Sequence, residues 1–444
     1  MRLMAPSIPW IWRRPGWPGM AVDAQAIATD LAEAHRMQGV LEGKASSIGL
    51  TSTSDVALDA MAGEAVATAA IEGERLSLDT VRSSVMRRLG LSATGPADRS
   101  VDGLVAMLND ATGAHDQPLD DDRLHRWQSA LFPGGTSGLT RIAVGRYRTH
   151  EAPMQIVSGP MGREVVHYEA PPSADVPRHM RAFLDWFEAT TPVRHMRTQS
   201  AVDGIARAAI AHLWFETIHP FEDGNGRIGR AIVDMAIAQH LRQPIRLYSL
   251  SRQLLAVRED YYNALNTAQR GDLDATRWVG WFVRQCTAAY SAANLVMDQA
   301  LEKLRFWHRH AAAVINERQR KVLQRLLDAG DGGFVGGLNA EKYMHMTGTS
   351  KPTATRDLAQ LVGKKQLWTR GAGKALRYYV AVPGWVHGLE PDQESPSTGP
   401  QPTTPPSPGG GLMLPAAEVE GRDSGPKEDA DSRPARRPSA FRKP

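Results

Sequence analysis

The chain has a single cysteine, Cys286, among its 444 residues. It therefore cannot form an internal disulfide, which suits a reducing compartment. No apolar run approaches 18 residues, so no membrane-spanning helix is predicted. The first twenty residues are rich in Trp, Arg and Pro and lack the apolar core of a signal peptide. We therefore expect a cytoplasmic protein that does not engage a membrane.

A marked charge imbalance is also missing. The 52 Lys and Arg residues face 48 Asp and Glu residues, a net charge of only +4. A balance this even does not by itself indicate a nucleic-acid partner. Hydrophobic residues make up 42% and charged residues 23% of the chain, which is ordinary for globular proteins. The length is sufficient for two or three domains.

The most informative segment is His219–Arg230, because nearly every side chain in it suits work on a nucleotide. His219 has an imidazole, whose ordinary pKa of about 6.5 suits a general base. Asp223 has a carboxylate, a preferred ligand of a divalent ion such as Mg²⁺ or Mn²⁺ that also bridges phosphates. These two residue types predict catalysis at a phosphate group.

Glycines and arginines follow in the same segment. Gly224 and Gly226 flank Asn225 and have no side-chain bulk, so backbone N–H groups there can approach phosphate oxygens. The following residues have a helical pattern, which would add the positive end of a helix. Arg227 and Arg230 are three apart, hence neighbours on that helix, and both suit a polyphosphate.

Two other interpretations fit parts of this segment. One is a loop that caps a helix, with its acidic residues matching the helix dipole and its arginines solvated. The other is a dinucleotide-binding fingerprint, because residues 224–229 spell G-x-G-x-x-G. That fingerprint requires a preceding strand. The lead-in at 208–215 reads as a buried helix, so we reject this interpretation.

The segment matches H-P-F-x-[D/E]-G-N-G-R-x-x-R at all nine defined positions, and the chain is identified on this motif as resembling the Fic family. The resemblance implies transfer of AMP from ATP to a Ser, Thr or Tyr hydroxyl of a protein. It implies that His219 is the general base and that Asp223 holds Mg²⁺ or Mn²⁺. Phosphate contacts are then expected from the rest of the motif: Gly224, Asn225, Gly226, Arg227 and Arg230.

A second match lies upstream, where residues 68–73 fit [S/T]-x-x-x-E-[G/N]. This resembles the inhibitory motif of self-inhibited, class II Fic proteins, on a helix expected at about 54–73. The resemblance implies that Glu72 pairs with Arg230 in place of the γ-phosphate of ATP. The alternative is a glutamate on the solvent face of an alanine-rich helix.

Two further regions resemble Fic proteins. Short strands between Leu139 and Tyr168, including one at 141–148, resemble a flap that aligns the target by strand addition. Val165, Val166 and Tyr168 would then help to position the acceptor, although surface residues without a binding role remain an alternative. In the segment 258–269, Tyr262 and Gln269 are expected to border the adenine, with core packing of the tyrosine as the alternative.

The helical patterns predict a mainly α protein: a Fic-type helical bundle with a small β-hairpin flap, a winged-helix domain and a disordered tail. Tryptophans in residues 10–18 resemble an N-terminal module fused to Fic domains, where they pack as anchors. The predicted domains comprise an N-terminal helical region at 1–110, a catalytic domain at 111–312, a winged-helix-like domain at 313–387 and the tail at 388–444.

The region 313–387 has a pattern of three helices followed by a hairpin, as in winged-helix domains. Basic and hydroxyl residues fall on its third helix and hairpin, where such domains meet DNA: Lys351, Thr353, Thr355, Arg356, Arg370, Lys374 and Arg377. Protein contacts or homodimer formation are alternatives for this region.

The leading hypothesis is a protein adenylyltransferase restrained by its own Glu72, which takes a hydroxyl-bearing protein, including itself, as substrate. The same site could instead remove AMP by hydrolysis or use another nucleotide donor, because the motif contacts phosphates and not the base. A hypothesis from a different class is a DNA-binding regulator that uses the pocket as a sensor. The presence of His219, Asp223 and Asn225 together argues against it, since sensing needs no base at the α-phosphate.

Overall fold

The computed structural model describes residues 10–50, 54–93, 95–158, 163, 165–192, 202–244, 246–331 and 334–385. The predicted tail at 388–444 lies outside them. The chain divides into two compact units, one reaching Trp307 and the other starting at His308. The prediction of a mainly α protein is confirmed. Within the described residues, no helix is both long and apolar enough to cross a membrane.

The first unit contains eleven α-helices among its described residues. Their bounds are α1 Ala28–Ser47, α2 Asp55–Ile71, α3 Leu78–Arg88, α4 Arg99–Gly113, α5 Asp121–Leu131, α6 Val176–Ala189, α7 Gly204–Ile218, α8 Asn225–Leu241, α9 Leu250–Ala256, α10 Arg258–Arg270 and α11 Thr276–Arg309, the last of which continues past the unit boundary. The short helix α9 was not predicted. The helices expected at about 54–73, across 208–215 and after the motif correspond to α2, α7 and α8.

Helices α7 and α8 form the centre of this unit. Every residue of α7 is buried, as expected for a helix that is apolar on all sides. Gly229 allows α8 to pack closely, because a Cβ there would lie 2.5 Å from Oε1 of Glu216. The α7–α8 connection, which carries the motif, is therefore surrounded by packed helices.

Among the described residues of this unit, four short strands form two hairpins. Strand β1, Thr136–Ser137, pairs with β2, Thr140–Arg141, and β3, Gln155–Ser158, pairs with β4, Val165–Glu169. The predicted strand at 141–148 is wrong beyond its first residue. Gly145 has a positive φ of 70°, which interrupts an extended run. The side chain of Gln128 hydrogen-bonds Ala143 and Gly145 there, as a neighbouring strand would otherwise do.

The second unit contains three helices and one hairpin among its described residues. Its helices are α12 Glu317–Ala329, α13 Ala340–Thr347 and α14 Lys351–Gly363, and its strands are β5 Leu367–Arg370 and β6 Arg377–Val380. A buried Asp357 ties the helices together, accepting hydrogen bonds from Asn316, Arg318 and Tyr343. The predicted order of three helices and a hairpin is observed.

Candidate active site

The motif begins where α7 ends. His219 takes the left-handed conformation, with φ 50° and ψ 60°, and its N–H donates to the carbonyl of Phe215 at 2.9 Å. This conformation is unusual for a residue with a side chain and often marks a functional position. Gly224 also has a positive φ, 91°, and a Cβ there would lie only 3.0 Å from the ring of Phe132. The loop between these two residues is thus tightly constrained.

A buried arginine holds the start of the loop. Arg148 donates from Nε to the carbonyl of His219 at 2.8 Å and from Nη2 to the carbonyls of Pro171 and Ile218 at 2.6 and 3.2 Å. Its own N–H donates to the carbonyl of Pro220 at 2.9 Å. Burial lowers the pKa of Arg148 to about 10, so the guanidinium stays charged at neutral pH. The sequence analysis did not identify this residue.

Asn225 closes the same loop from inside. Its Oδ1 accepts from the N–H of Phe221 at 2.9 Å, and its Nδ2 donates to the carbonyl of Phe221 at 2.8 Å. The Phe221 ring is fully buried and packs 5.3 Å, centroid to centroid, from the ring of Tyr147. The amide of Asn225 is therefore engaged within the loop, which differs from a direct phosphate contact.

The imidazole of His219 lies beside a buried carboxylate. Nδ1 of His219 is 3.7 Å from Oε2 of Glu216, and both side chains are more than nine-tenths buried. A carboxylate at this distance favours a protonated Nδ1. Glu216 precedes His219 by three residues, a helical spacing that would have suggested the contact.

Asp223 has both carboxylate oxygens in hydrogen bonds. Oδ1 accepts from the N–H of Gly224 at 2.6 Å, and Oδ2 accepts from the hydroxyl of Ser137 on β1. The described residues contain no cluster of three or more His, Cys, Asp or Glu side chains able to hold a metal ion. One carboxylate beside a phosphate site fits Mg²⁺, which is often bound by one or two carboxylates, substrate phosphates and water.

Arg230 is buried on α8 and faces the end of α2. Nη2 of Arg230 donates to Oε1 of Glu72 at 2.8 Å and to the carbonyl of Thr68 at 3.0 Å, while Nε donates to the Thr68 hydroxyl at 2.7 Å. Burial opposes the charge and is the largest single effect, but Glu72, Tyr261 and Tyr262 together outweigh it, so the pKa of Arg230 lies above its ordinary value. Gly226 lets the Glu72 carboxylate come close to α8, because a Cβ at this position would lie 2.1 Å from Oε1 of Glu72.

The other motif arginine is also paired with a glutamate. Nη1 of Arg227 donates to both carboxylate oxygens of Glu74, at 3.0 and 3.2 Å. The Arg227 guanidinium lies 5.0 Å from the ring centroid of Phe132. The sequence analysis did not identify Glu74, although it follows Glu72 by only two residues. Both predicted phosphate-binding arginines therefore contact carboxylates from the segment after α2.

Helix α10 faces the same segment. Arg258 and Tyr262 both donate to the carbonyl of Ile71, from Nε at 2.9 Å and from the hydroxyl at 3.3 Å. Gln269 is 1% exposed, and its Nε2 has no hydrogen-bond partner among the described residues. Because Gln269 also lines the cavity described next, this amide can donate to a bound molecule.

Most of these groups line one cavity of about 700 Å³, a size suited to a nucleotide. Arg148 and Gly224 are not among the lining residues. Its lining includes His219, Asp223 and both arginines, and also residues of β1, β3 and α10. The cavity therefore brings together the predicted base, the predicted metal ligand and the predicted phosphate and adenine contacts.

The three predicted flap residues lie on β4, with different exposures. Val165 is 57% exposed and Val166 is half-buried. Tyr168 is fully buried, and its hydroxyl donates to the carbonyl of Thr217 at 2.5 Å. Tyr168 therefore packs into the core, so its ring is not available to an acceptor in this structure. That these three residues help to position the acceptor stays a prediction.

The chain matches two protein families. Residues 118–237 match the Fic/DOC family, and residues 10–91 match a domain of unknown function, DUF4172. The first match contains the whole motif, and the second contains Glu72.

Curated relatives share about a third or less of their own length with this chain. A probable protein adenylyltransferase of Aquifex aeolicus is 30% identical over 104 residues, 23% of this chain and 27% of the relative. The protein adenylyltransferase fic-1 of Caenorhabditis elegans is 27% identical over 219 residues, 46% and 36% of the two chains. A solved Fic family protein from Desulfovibrio desulfuricans G20 is 21% identical, with a TM-score of 0.47, over 81% of this chain and 97% of that one.

Proposed function

Because this chain carries a Fic/DOC family domain, we propose that it is a protein adenylyltransferase. It transfers AMP from ATP to a Ser, Thr or Tyr hydroxyl of a protein and releases pyrophosphate. The main support is that His219, Asp223, Arg227 and Arg230 line one cavity of nucleotide size. The curated relatives, which carry the name protein adenylyltransferase, support the same activity.

His219 acts as the general base. Glu216 lies beside Nδ1, which makes Nε2 the ring nitrogen that accepts the hydroxyl proton. The acceptor oxygen attacks the α-phosphorus, the bond from that phosphorus to the bridging oxygen breaks, and pyrophosphate leaves. This type of transfer depends mainly on positioning and charge neutralisation, which the buried loop and the two arginines provide.

Asp223 is the residue that would hold Mg²⁺ or Mn²⁺. The bound ion would neutralise charge on the phosphates of ATP. The N–H of Gly224 and the hydroxyl of Ser137 donate to the Asp223 carboxylate. These two hydrogen bonds orient the carboxylate at the cavity.

Glu72 restrains the enzyme. Its carboxylate is 2.8 Å from Nη2 of Arg230, where it competes with the γ-phosphate of ATP. Arg230 also holds the last turn of α2 through two hydrogen bonds to Thr68, and these contacts keep Glu72 close to Arg230.

Incubation with labelled ATP and Mg²⁺, followed by intact-mass analysis, tests this proposal. We expect Glu72→Gly to add AMP to itself or to lysate proteins at least tenfold faster than the wild type. Adding His219→Ala to Glu72→Gly should remove at least a hundredfold of that rate, the usual contribution of a general base. Retained transfer without His219 would refute the catalytic assignment.

The same experiment separates the alternatives. UTP, GTP and CDP-choline serve as competing donors, and the added mass identifies the group transferred. Loss of AMP from a pre-modified protein, dependent on Glu72, would indicate hydrolysis as the main activity. Salt-dependent binding to a specific DNA duplex with no transfer from any donor would support a DNA-binding regulator acting through the second unit.

A further inference from the structure

The outer edge of β4 is covered by side chains from two distant parts of the chain. One is Arg270, the last residue of α10. The other is the N-terminal strap, which we define as residues 10–18. Arg270 donates from Nη2 to the carbonyls of Val166 and His167, at 3.1 and 2.9 Å, and from Nε to the carbonyl of His167 at 3.3 Å.

A β-bulge explains why one arginine can contact two consecutive carbonyls. Ile156 pairs with Tyr168, but the next residue, Val157, pairs with Val166. His167 is therefore the additional residue of β4. A bulge changes the direction of neighbouring peptide groups, and the planar guanidinium has donors spaced to bind two acceptors at once. The contact is thus specific for an arginine at this position.

The N-terminal strap contacts the other end of β4. Nε1 of Trp12 donates to the carbonyl of Glu169 at 2.8 Å, and Nη2 of Arg13 is 2.6 Å from the Glu169 carboxylate. The ring of Trp10 meets the ring of Tyr168 edge-on at 5.2 Å, and the Arg270 guanidinium lies 5.1 Å from the Trp10 ring centroid. Arg270 therefore joins the strap and β4.

The N-terminal strap also contacts residues outside β3 and β4, the two strands of the flap. Arg14 donates to the carbonyl of Gly271 at 3.0 Å, and the ring of Trp17 packs edge-on against that of Trp214 in α7 at 6.1 Å. These contacts hold the strap in place independently of its contacts with β4.

We propose that Arg270 and the N-terminal strap are positioning elements for the protein acceptor. By holding β4, they fix its partner β3, which lines the cavity through Gln155 and Ile156. The contacts on β4 leave β3 as the strand along which an acceptor segment lies. This inference rests on the proposed function, and it gives a role to the first residues of the DUF4172 match.

The test uses Glu72→Gly protein and compares Arg270→Ala with Arg270→Lys. Arg277→Ala is the matched control, because Arg277 is also exposed, lies seven residues further along the chain, and makes no hydrogen bond or ion pair among those found in the described residues. Three quantities are measured: amide hydrogen exchange in Gln155–Val157 and Val165–Glu169, incorporation of labelled AMP into lysate proteins, and the dissociation constant of ATP.

We expect Arg270→Ala to raise flap exchange and to lower AMP incorporation about tenfold, the effect of losing one or two charge-assisted hydrogen bonds. ATP affinity should stay within about twofold, because these contacts involve the flap and not the nucleotide. Arg270→Lys keeps the charge but loses the paired geometry. Its flap exchange and AMP incorporation should therefore lie between those of Arg270→Ala and those of the parent Glu72→Gly protein. Trp12→Phe, which removes only the indole N–H, should shift both flap quantities in the same direction by less.

Unchanged flap exchange in Arg270→Ala would refute the contact as a support of β4. Raised exchange with unchanged incorporation would refute its role in acceptor positioning, as would an equal loss of ATP affinity and incorporation. If Glu72→Gly itself transferred nothing, the proposed function would fail, whereas the exchange data would still decide whether Arg270 and the strap hold the flap.

Discussion

The motif loop at 219–230 and the segment that follows α2 contribute opposite charges to the same cavity, but they are held differently. The motif loop is bound through its backbone by buried groups, chiefly Arg148 and Asn225. Glu72 and Glu74 reach the cavity at the end of a helix, and their side chains are 32% and 48% exposed. The proposed catalytic groups are thus built into the core, whereas the opposing carboxylates lie at its margin.

This difference matters for regulation. Moving the motif loop would leave buried carbonyls without hydrogen-bond donors, at a cost of about 1–3 kcal/mol of folding free energy for each group. Moving Glu74 into water costs much less, because an ion pair this exposed contributes about 0–1 kcal/mol. Moving Glu72 leaves the buried Arg230 without its carboxylate, so it needs a replacement negative charge. A triphosphate or a bound partner can therefore displace the carboxylates while the catalytic groups stay in place.

The largest effect is expected from breaking the buried side of this comparison. Arg148→Met should lower the unfolding free energy by about 3 kcal/mol, because three buried carbonyls lose their donor. It should also reduce transfer by Glu72→Gly protein, since His219 loses the contact to its own carbonyl. Chemical denaturation and labelled-ATP assays measure the two effects. Arg146→Met, an exposed arginine two residues away, is the control, and equal behaviour of both variants would contradict the prediction.

A smaller effect is expected from pH, through His212 on α7. Burial, with a further contribution from the charge of Arg230, lowers the pKa of His212 to about 3. Its Nε2 lies 2.8 Å from the hydroxyl of Tyr261. In the unfolded chain the pKa of this imidazole is about 6.5. The stability that the neutral, buried imidazole contributes is therefore fully present above pH 6.5 and is lost as the pH falls toward 3. Between pH 7 and pH 5 the loss from this one group is about 2 kcal/mol.

Comparing wild type with His212→Gln isolates that contribution. Denaturation curves at several pH values should show a shallower decline below pH 6.5 for the variant. Parallel declines would mean that His212 is not neutral in the folded protein.

The smallest effect is expected from the exposed side of the comparison. Glu72→Gln should raise ATP affinity about tenfold, because it frees Arg230, which has no other carboxylate among its contacts in the described residues. Glu74→Gln should raise affinity only about twofold to threefold, as expected for an exposed pair. Calorimetric titration with ATP measures both. A larger effect from Glu74 than from Glu72 would reverse our view of which glutamate restrains the site.

Part of the site was predictable because it is local in sequence. His219, Asp223 and the two arginines lie within twelve residues, so one short loop and the first turns of α8 keep them near one another. The residues that support them were not predictable in this way. Arg148 contacts the carbonyl of His219 from 71 residues away, and Ser137 contacts Asp223 from 86 residues away. Nothing in the residue types of these two positions indicates such partners.

The flap shows the same limit. Strands β3 and β4 fall within or next to the region 139–168, where short strands are predicted, and they pair as hairpins do. Alternation does not tell which face meets the core, and a bulge shifts it by one residue. The sequence therefore did not show that Tyr168, which is expected to help position the acceptor, is buried. It also did not link Arg270 or Trp12 to β4.

The amino-acid sequence alone determined the mainly helical architecture, the position of the motif and the chemical types of its groups, because periodicity and spacing act over a few turns of chain. Only the tertiary structure decided which distant residues hold that motif, which carboxylates oppose its arginines and which flap residues face the cavity. Those choices depend on how whole helices pack, and a buried arginine or a paired glutamate is recognisable only once its partners, often more than a hundred residues away, are beside it.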